Sequence, residues 1–191
     1  MEVEKHIFEP VTGANISTLA QWLNVTHHVS PLLAKLERFR PSHINLEDWL
    51  MRLAWTRGAS AYPQPPLSEA ELNAAHGIQD EELAVALCHP NLSAQMLRIR
   101  MAAQLLSRPN LNLKRLERLG HMERVEPILG HISRCCSQVY PHHPVWEPLN
   151  RVFGKRQVPT GKLPHTTRFA FVTGMTRNGP GRITWLENGR A

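Results

Sequence analysis

At 191 residues, 42% of them hydrophobic, the chain is long enough to bury a core and too apolar to be disordered throughout. No run approaches the roughly 18 apolar residues of a membrane span, and the opening MEVEKHIFEP has no apolar core of a secretory signal, which argues against membrane insertion and secretion. Three cysteines, two of them adjacent (Cys135 and Cys136), make no disulfide framework and point to a reducing, cytoplasmic setting.

Helix signatures follow in quick succession. Ser17 can cap TLAQWLNV, whose Leu19, Trp22 and Leu23 fall at helical spacing. In SPLLAKLERF, Ser30 is placed as the cap and Pro31 as the first helical residue, with Leu32, Leu33, Leu36 and Phe39 on one face. NLEDWLMRLAWTRG has Asn45 as cap, acids at its start where the helix dipole favours them, and Gly58 at its close. The stretch 59–66, ASAYPQPP, holds three prolines and reads as an exposed linker. SEAE (68–71) has the spacing of a capping box, and Asp80 precedes EELAVALC. AQMLRIRMAAQLLS is helical, with Met96, Leu97, Met101 and Leu105 on one face; LKRLERLG is expected to end at Gly120. ERVEPILGHISRCCSQVY reads as a long helix with Pro127 in its first turn, and HPVWEPLNRVFG as a short last one. HPNLSAQML and RPNLNLKRL share an extended Pro-Asn-Leu lead-in that sets Ser93 and Asn112 as caps, which is helix punctuation rather than a repeat unit. The expected fold is therefore all-α over 1–154, a multi-helix bundle or short helical-repeat-like domain. Residues 155–191 form a basic C-terminal extension, either a β-hairpin around RNGPG or a tail that orders on a partner.

Charge is unevenly placed. The net +6 divides into +7 over 151–191 and −1 over 1–150. Within that body, 1–97 has 6 bases against 11 acids, and 98–134 has 8 against 3. Such polarity suits a subunit that docks between unlike surfaces. It also raises nucleic-acid binding through 98–134 and the tail, with Lys114, Arg115 and Arg118 on the outer face of NLKRLERL. Glu117, Glu123 and Glu126 dilute that face. The interaction candidates are Arg98, Lys114, Arg115, Arg118, Arg177, Arg182 and Trp185.

The chemistry-bearing residues form no recognised catalytic pattern: GxSxG, P-loop, GxGxxG and HExxH spacings are all missing. Metal candidates are Cys88 with His89, His131 with Cys135 or Cys136, and His142 with His143. His131 and Cys135 share a helix face, yet there is no CxxC or HxxxH pair and no carboxylate is placed as a third ligand. A non-enzyme without metal or cofactor is expected, and a metal protein or enzyme built on Cys88, Cys135 and the histidines is the third reading.

IFEP followed by STLAQWL, the Trp-bearing DWLMRLAW, and ELAVALCHPNLSAQMLRIRMAAQLL together resemble the K-subunit family of bacterial type III secretion systems, over roughly the first two-thirds of the chain. The resemblance implies a non-catalytic cytoplasmic adaptor linking the inner-membrane ring to the pods of the sorting platform. It assigns no residue roles.

Overall fold

The computed structural model describes residues 23, 28–59, 64–92, 95–156, 158, 163–166, 169, 172–176 and 179–183. Eight helices lie within them, so the body is all-α. The expected helix after Ser17 lies outside the described residues.

Local capping chemistry sets most helix starts. In α1 (Pro31–Glu37), Ser30 Oγ accepts from Leu33 N at 2.9 Å and Pro31 occupies the first turn. In α2 (Leu46–Thr56), Asn45 Oδ1 accepts from Asp48 N at 2.8 Å; Gly58, at φ 88°, turns the chain away at the far end. The capping box opens α3 (Glu69–Ala74): Ser68 N donates to Glu71 Oε2 at 2.6 Å, and Glu71 N to Ser68 Oγ at 3.4 Å. For α4 (Asp80–Leu87) the cap is Gln79 rather than Asp80, and Glu82 reaches back to Gln79 N at 3.1 Å. Gln95–Leu106 form α5, whose expected cap Ser93 lies outside the described residues. Asn112 Oδ1 accepts from Arg115 N at 3.0 Å to open α6 (Leu113–Met122).

Helix α6 does not stop at Gly120. It runs one more half-turn, because Gly120 is a packing position: a Cβ there would lie 2.9 Å from Leu129 Cδ1 and 3.3 Å from Phe153 Cε1. The break comes at Arg124, whose φ of 55° reverses the chain. The next helix, α7 (Glu126–Val139), therefore begins at 126 rather than 123, with Pro127 in its first turn. Trp146–Phe153 form α8.

The core organises around α4, whose residues from Glu81 to Leu87 are all buried. It packs against α1, α2, α5 and α6, while α7 lies along α8 and also meets α5 and α6. Trp49 and Trp146 are buried in this core, as apolar anchors of α2 and α8. The proposed linker is partly tied down: Ala59 and Leu67 at its margins are buried, whereas Pro65 and Pro66 are exposed.

Part of the extension belongs to the same core, since Leu163 and Phe169 are buried with it. Beyond them, β1 (Val172–Thr176) and β2 (Gly179–Ile183) pair antiparallel, from Val172 opposite Ile183 to Thr176 opposite Gly179. The two-residue connection fits a hairpin. No helix among the described residues is long and apolar enough to cross a membrane.

Candidate functional site

Three distant segments converge on one buried carboxylate. Glu123 ends α6 and is fully buried. An acid at a helix C-terminus is disfavoured by the dipole, so its charge needs another partner. That partner is the start of α1: Ser30 Oγ donates to Glu123 Oε2 at 2.5 Å, and Leu32 N donates to Glu123 Oε1 at 2.9 Å. Ser30 thus serves twice, accepting from Leu33 N as helix cap and donating to Glu123 as an anchor.

Two imidazoles face the same oxygen. His28 Nε2 stands 3.9 Å from Glu123 Oε2 and His89 Nε2 stands 3.8 Å from it, both beyond hydrogen-bond range. The rings stack at 20° with centroids 6.4 Å apart. Both Nε2 atoms are buried without a hydrogen-bond partner. His89, in the turn after α4, is fully buried, whereas the His28 side chain keeps 17% exposure. Burial, with the nearby His28 and Arg98, pushes His89 down to about 4, so it is neutral near pH 7. Asn91 N donates to His89 Nδ1 at 3.3 Å, which leaves the proton of the neutral ring on Nε2, facing Glu123. Among the described residues these three form the group of His, Cys and carboxylate side chains close enough to share an ion, all ligand atoms lying within 4.8 Å of one another.

The pairings suggested by the sequence do not assemble in this way. Cys88 is buried and burial pushes its thiol up to about 12, so it remains protonated. His131 and Cys135 do meet, with Nε2 at 3.5 Å from Sγ. That same Nε2 lies 2.8 Å from the Pro164 carbonyl and donates its proton there, so it is not available as a base toward the thiol. Burial raises Cys135 despite the Thr166 hydroxyl and the Arg134 charge, and raises Cys136 further. His142 is exposed, and the half-buried His143 packs its ring 5.6 Å from Trp146.

The basic candidates divide sharply. Arg98, expected at an interaction surface, is instead fully interior with 1% exposure. Its guanidinium donates to the carbonyls of Leu87 (2.6 Å), His89 (3.3 Å) and Leu92 (2.8 Å), closing the C-terminus of α4 and the following turn. Its Nε lies 3.4 Å from Glu47 Oε1. The spacing that set Met96, Leu97, Met101 and Leu105 on one face gave no warning, and it also misplaces Met96, which is 51% exposed; an arginine can be buried when carbonyls saturate its fork. Arg115 is half-buried and bound to Glu82 at 3.2 Å. Lys114 and Arg118 are exposed as expected, with exposed Glu117 between them. Arg177 and Trp185 lie outside the described residues, and Arg182 is described only as backbone in β2, opposite Thr173.

Glu123 and His28 escaped sequence reasoning. The sequence pattern set Glu123 at the start of the next helix, where the dipole favours an acid, so no local signal marked it as costly. No protein-family model, no curated protein and no solved structure matches the chain.

Proposed function

We propose that this protein is a non-catalytic, cytoplasmic assembly subunit that binds other proteins. The observation that carries the reading is the fate of the basic segment 98–134. Arg98, Arg108 and Arg115 turn into the body, where they meet Glu47, Asp80 and Glu82. The outer face of α6 is then a mixture of Lys114, Glu117 and Arg118 rather than a continuous basic row for phosphates. Side chains such as Met122 (45% exposed) and Val152 (39%) add apolar surface of the kind protein partners cover. The resemblance to secretion K-subunits names ring and pod components as the first partners to try.

The alternative, nucleic-acid binding through Lys114, Arg118 and the extension, rests on the tail's charge. Both are tested by mixing the full chain, nuclease-treated, with ring cytoplasmic domains, with pod proteins, and with duplex DNA or RNA across a salt series. Stable complexes with ring or pod proteins support the assembly reading. Salt-sensitive retention on nucleic acid alone, lost when residues 172–191 are removed, transfers the assignment to the alternative.

A further inference from the structure

We propose that His28, His89 and Glu123 bind a divalent late transition-metal ion, zinc being the ion whose chemistry fits. Two imidazole nitrogens and one carboxylate oxygen are a ligand set that zinc accepts readily, whereas magnesium and calcium favour oxygen alone. The three donors come from the segment before α1, the turn after α4 and the end of α6. Both Nε2 atoms are buried, aimed at one carboxylate oxygen, and too far from it for a hydrogen bond.

Distances are compatible with this occupant. Bonds of about 2.0–2.1 Å in tetrahedral zinc place neighbouring ligand atoms ~3.4 Å apart. The two nitrogen-to-carboxylate distances, 3.8 and 3.9 Å, exceed this by about half an ångström, and with all three ligand atoms within 4.8 Å of one another the rings close inward to seat the ion. The carboxylate is already oriented by Ser30 Oγ and Leu32 N, the kind of outer support that ligating groups require. The His28 side chain, 17% exposed, is the edge of the cluster nearest solvent, and a fourth ligand would be a water. The Arg98 charge opposes a cation here, but its guanidinium is turned to three carbonyls and to Glu47.

Binding has a proton consequence. In the ion-free protein, the Asn91 N–H bond to Nδ1 keeps the His89 proton on Nε2. The ion takes the Nε2 lone pair, so that proton leaves to solvent and another is taken up at Nδ1. The Asn91 amide must then release its hold on the ring. The ion would thereby clasp the chain before α1 to the α4–α5 turn and the end of α6.

The test uses the full chain, freed of metal by a chelator and titrated with zinc against a chromogenic chelator, with cobalt(II) absorption reporting coordination. One equivalent of zinc is expected per chain, and H28A, E123Q and H89Q each weaken binding ~100-fold or more, beyond the usual loss for an outer-shell change. H28A alters the partly exposed ligand and keeps the Ser30 and Leu32 bonds to Glu123, so its fold is checked by circular dichroism and its zinc-induced rise in Tm should vanish. Nitrogen-15 spectra of histidine-labelled protein should show the His89 proton moving from Nε2 to Nδ1 with zinc. The proposal is overturned if the wild-type chain takes up no stoichiometric zinc. It is equally overturned if uptake survives in H28A and E123Q or is abolished by H131A alone, which would place the ion at His131.

Discussion

Arg98 is the residue on which sequence and structure differ most. A guanidinium with three carbonyl acceptors and a carboxylate neighbour is a structural clamp, and its removal takes a charged donor from the Leu87 and Leu92 carbonyls. R98A should lower the unfolding free energy by about 3–5 kcal/mol, read from urea midpoints. R98K keeps the charge but cannot span the three acceptors, so it should recover less than half of that loss. Unchanged melting in both variants would contradict the clamp. Burial of Arg98 was not legible from residues 94–107, where spacing assigns a face but cannot reveal which carbonyls another helix end leaves open.

At the scale of elements, close approach of helices decides the outcome. Gly130 of α7 is buried, and a Cβ there would overlap the Phe153 carbonyl at the end of α8. That obstacle is backbone, so G130A should cost about 3 kcal/mol by forcing α7 and α8 apart. At Gly120 the nearest obstacles are the Leu129 and Phe153 side chains, which can shift. G120A should therefore cost less, about 1 kcal/mol, and thermal melts of the two variants give the comparison. Capping was the most legible level, because Ser30, Asn45, Ser68 and Asn112 act on amides only a few residues away. The first turn of α4 was half legible. Its acids do suit a helix start, but they also gather bases from elsewhere: Asp80 meets Arg57 and Arg108, Glu82 meets Lys35 and Arg115, and Glu81 accepts from Asn112 N at 2.6 Å. Burial alone would raise the Glu82 carboxyl, but the Lys35 bond, the Gln79 amide and the Arg115 charge outweigh it and lower it below the ordinary 4.5. The stabilisation from Glu82 is then fully present above that ordinary value and is lost as pH falls through the lowered one. E82Q should be clearly less stable than the wild type at neutral pH, and the gap should narrow at an acidic pH below the ordinary 4.5. Urea midpoints at the two pH values check this, and a gap independent of pH would assign the effect to packing.

Across the whole molecule, the polarity of charge has a different meaning from the one its distribution suggested. Acids of the N-terminal half meet bases of the middle within the fold, the buried Arg98 at Glu47 and the half-buried Arg108 and Arg115 at Asp80 and Glu82. The segments of opposite sign are thus held to one another, and steering of partners is left mainly to the extension. The extension itself is divided. Phe169 packs with its ring centroid 6.2 Å from that of His131 and is buried, so F169A should cost about 3 kcal/mol in a urea melt. Removing residues 172–191 should leave that midpoint nearly unchanged, since β1 and β2 bond to each other.

The sequence by itself determined the all-α body, most helix starts, the outward Lys114 and Arg118, and a place where a hairpin could form. These follow from periodicity and from caps, which act within a turn of the chain. Tertiary structure alone decided that Arg98 is interior, that Gly120 and Gly130 are contact points, and that His28, His89 and Glu123 share one site. Each depends on groups brought together from separate elements: the last joins the lead-in to α1, the turn after α4 and the end of α6. No local periodicity encodes such a meeting, because it is set by how the helices pack around α4.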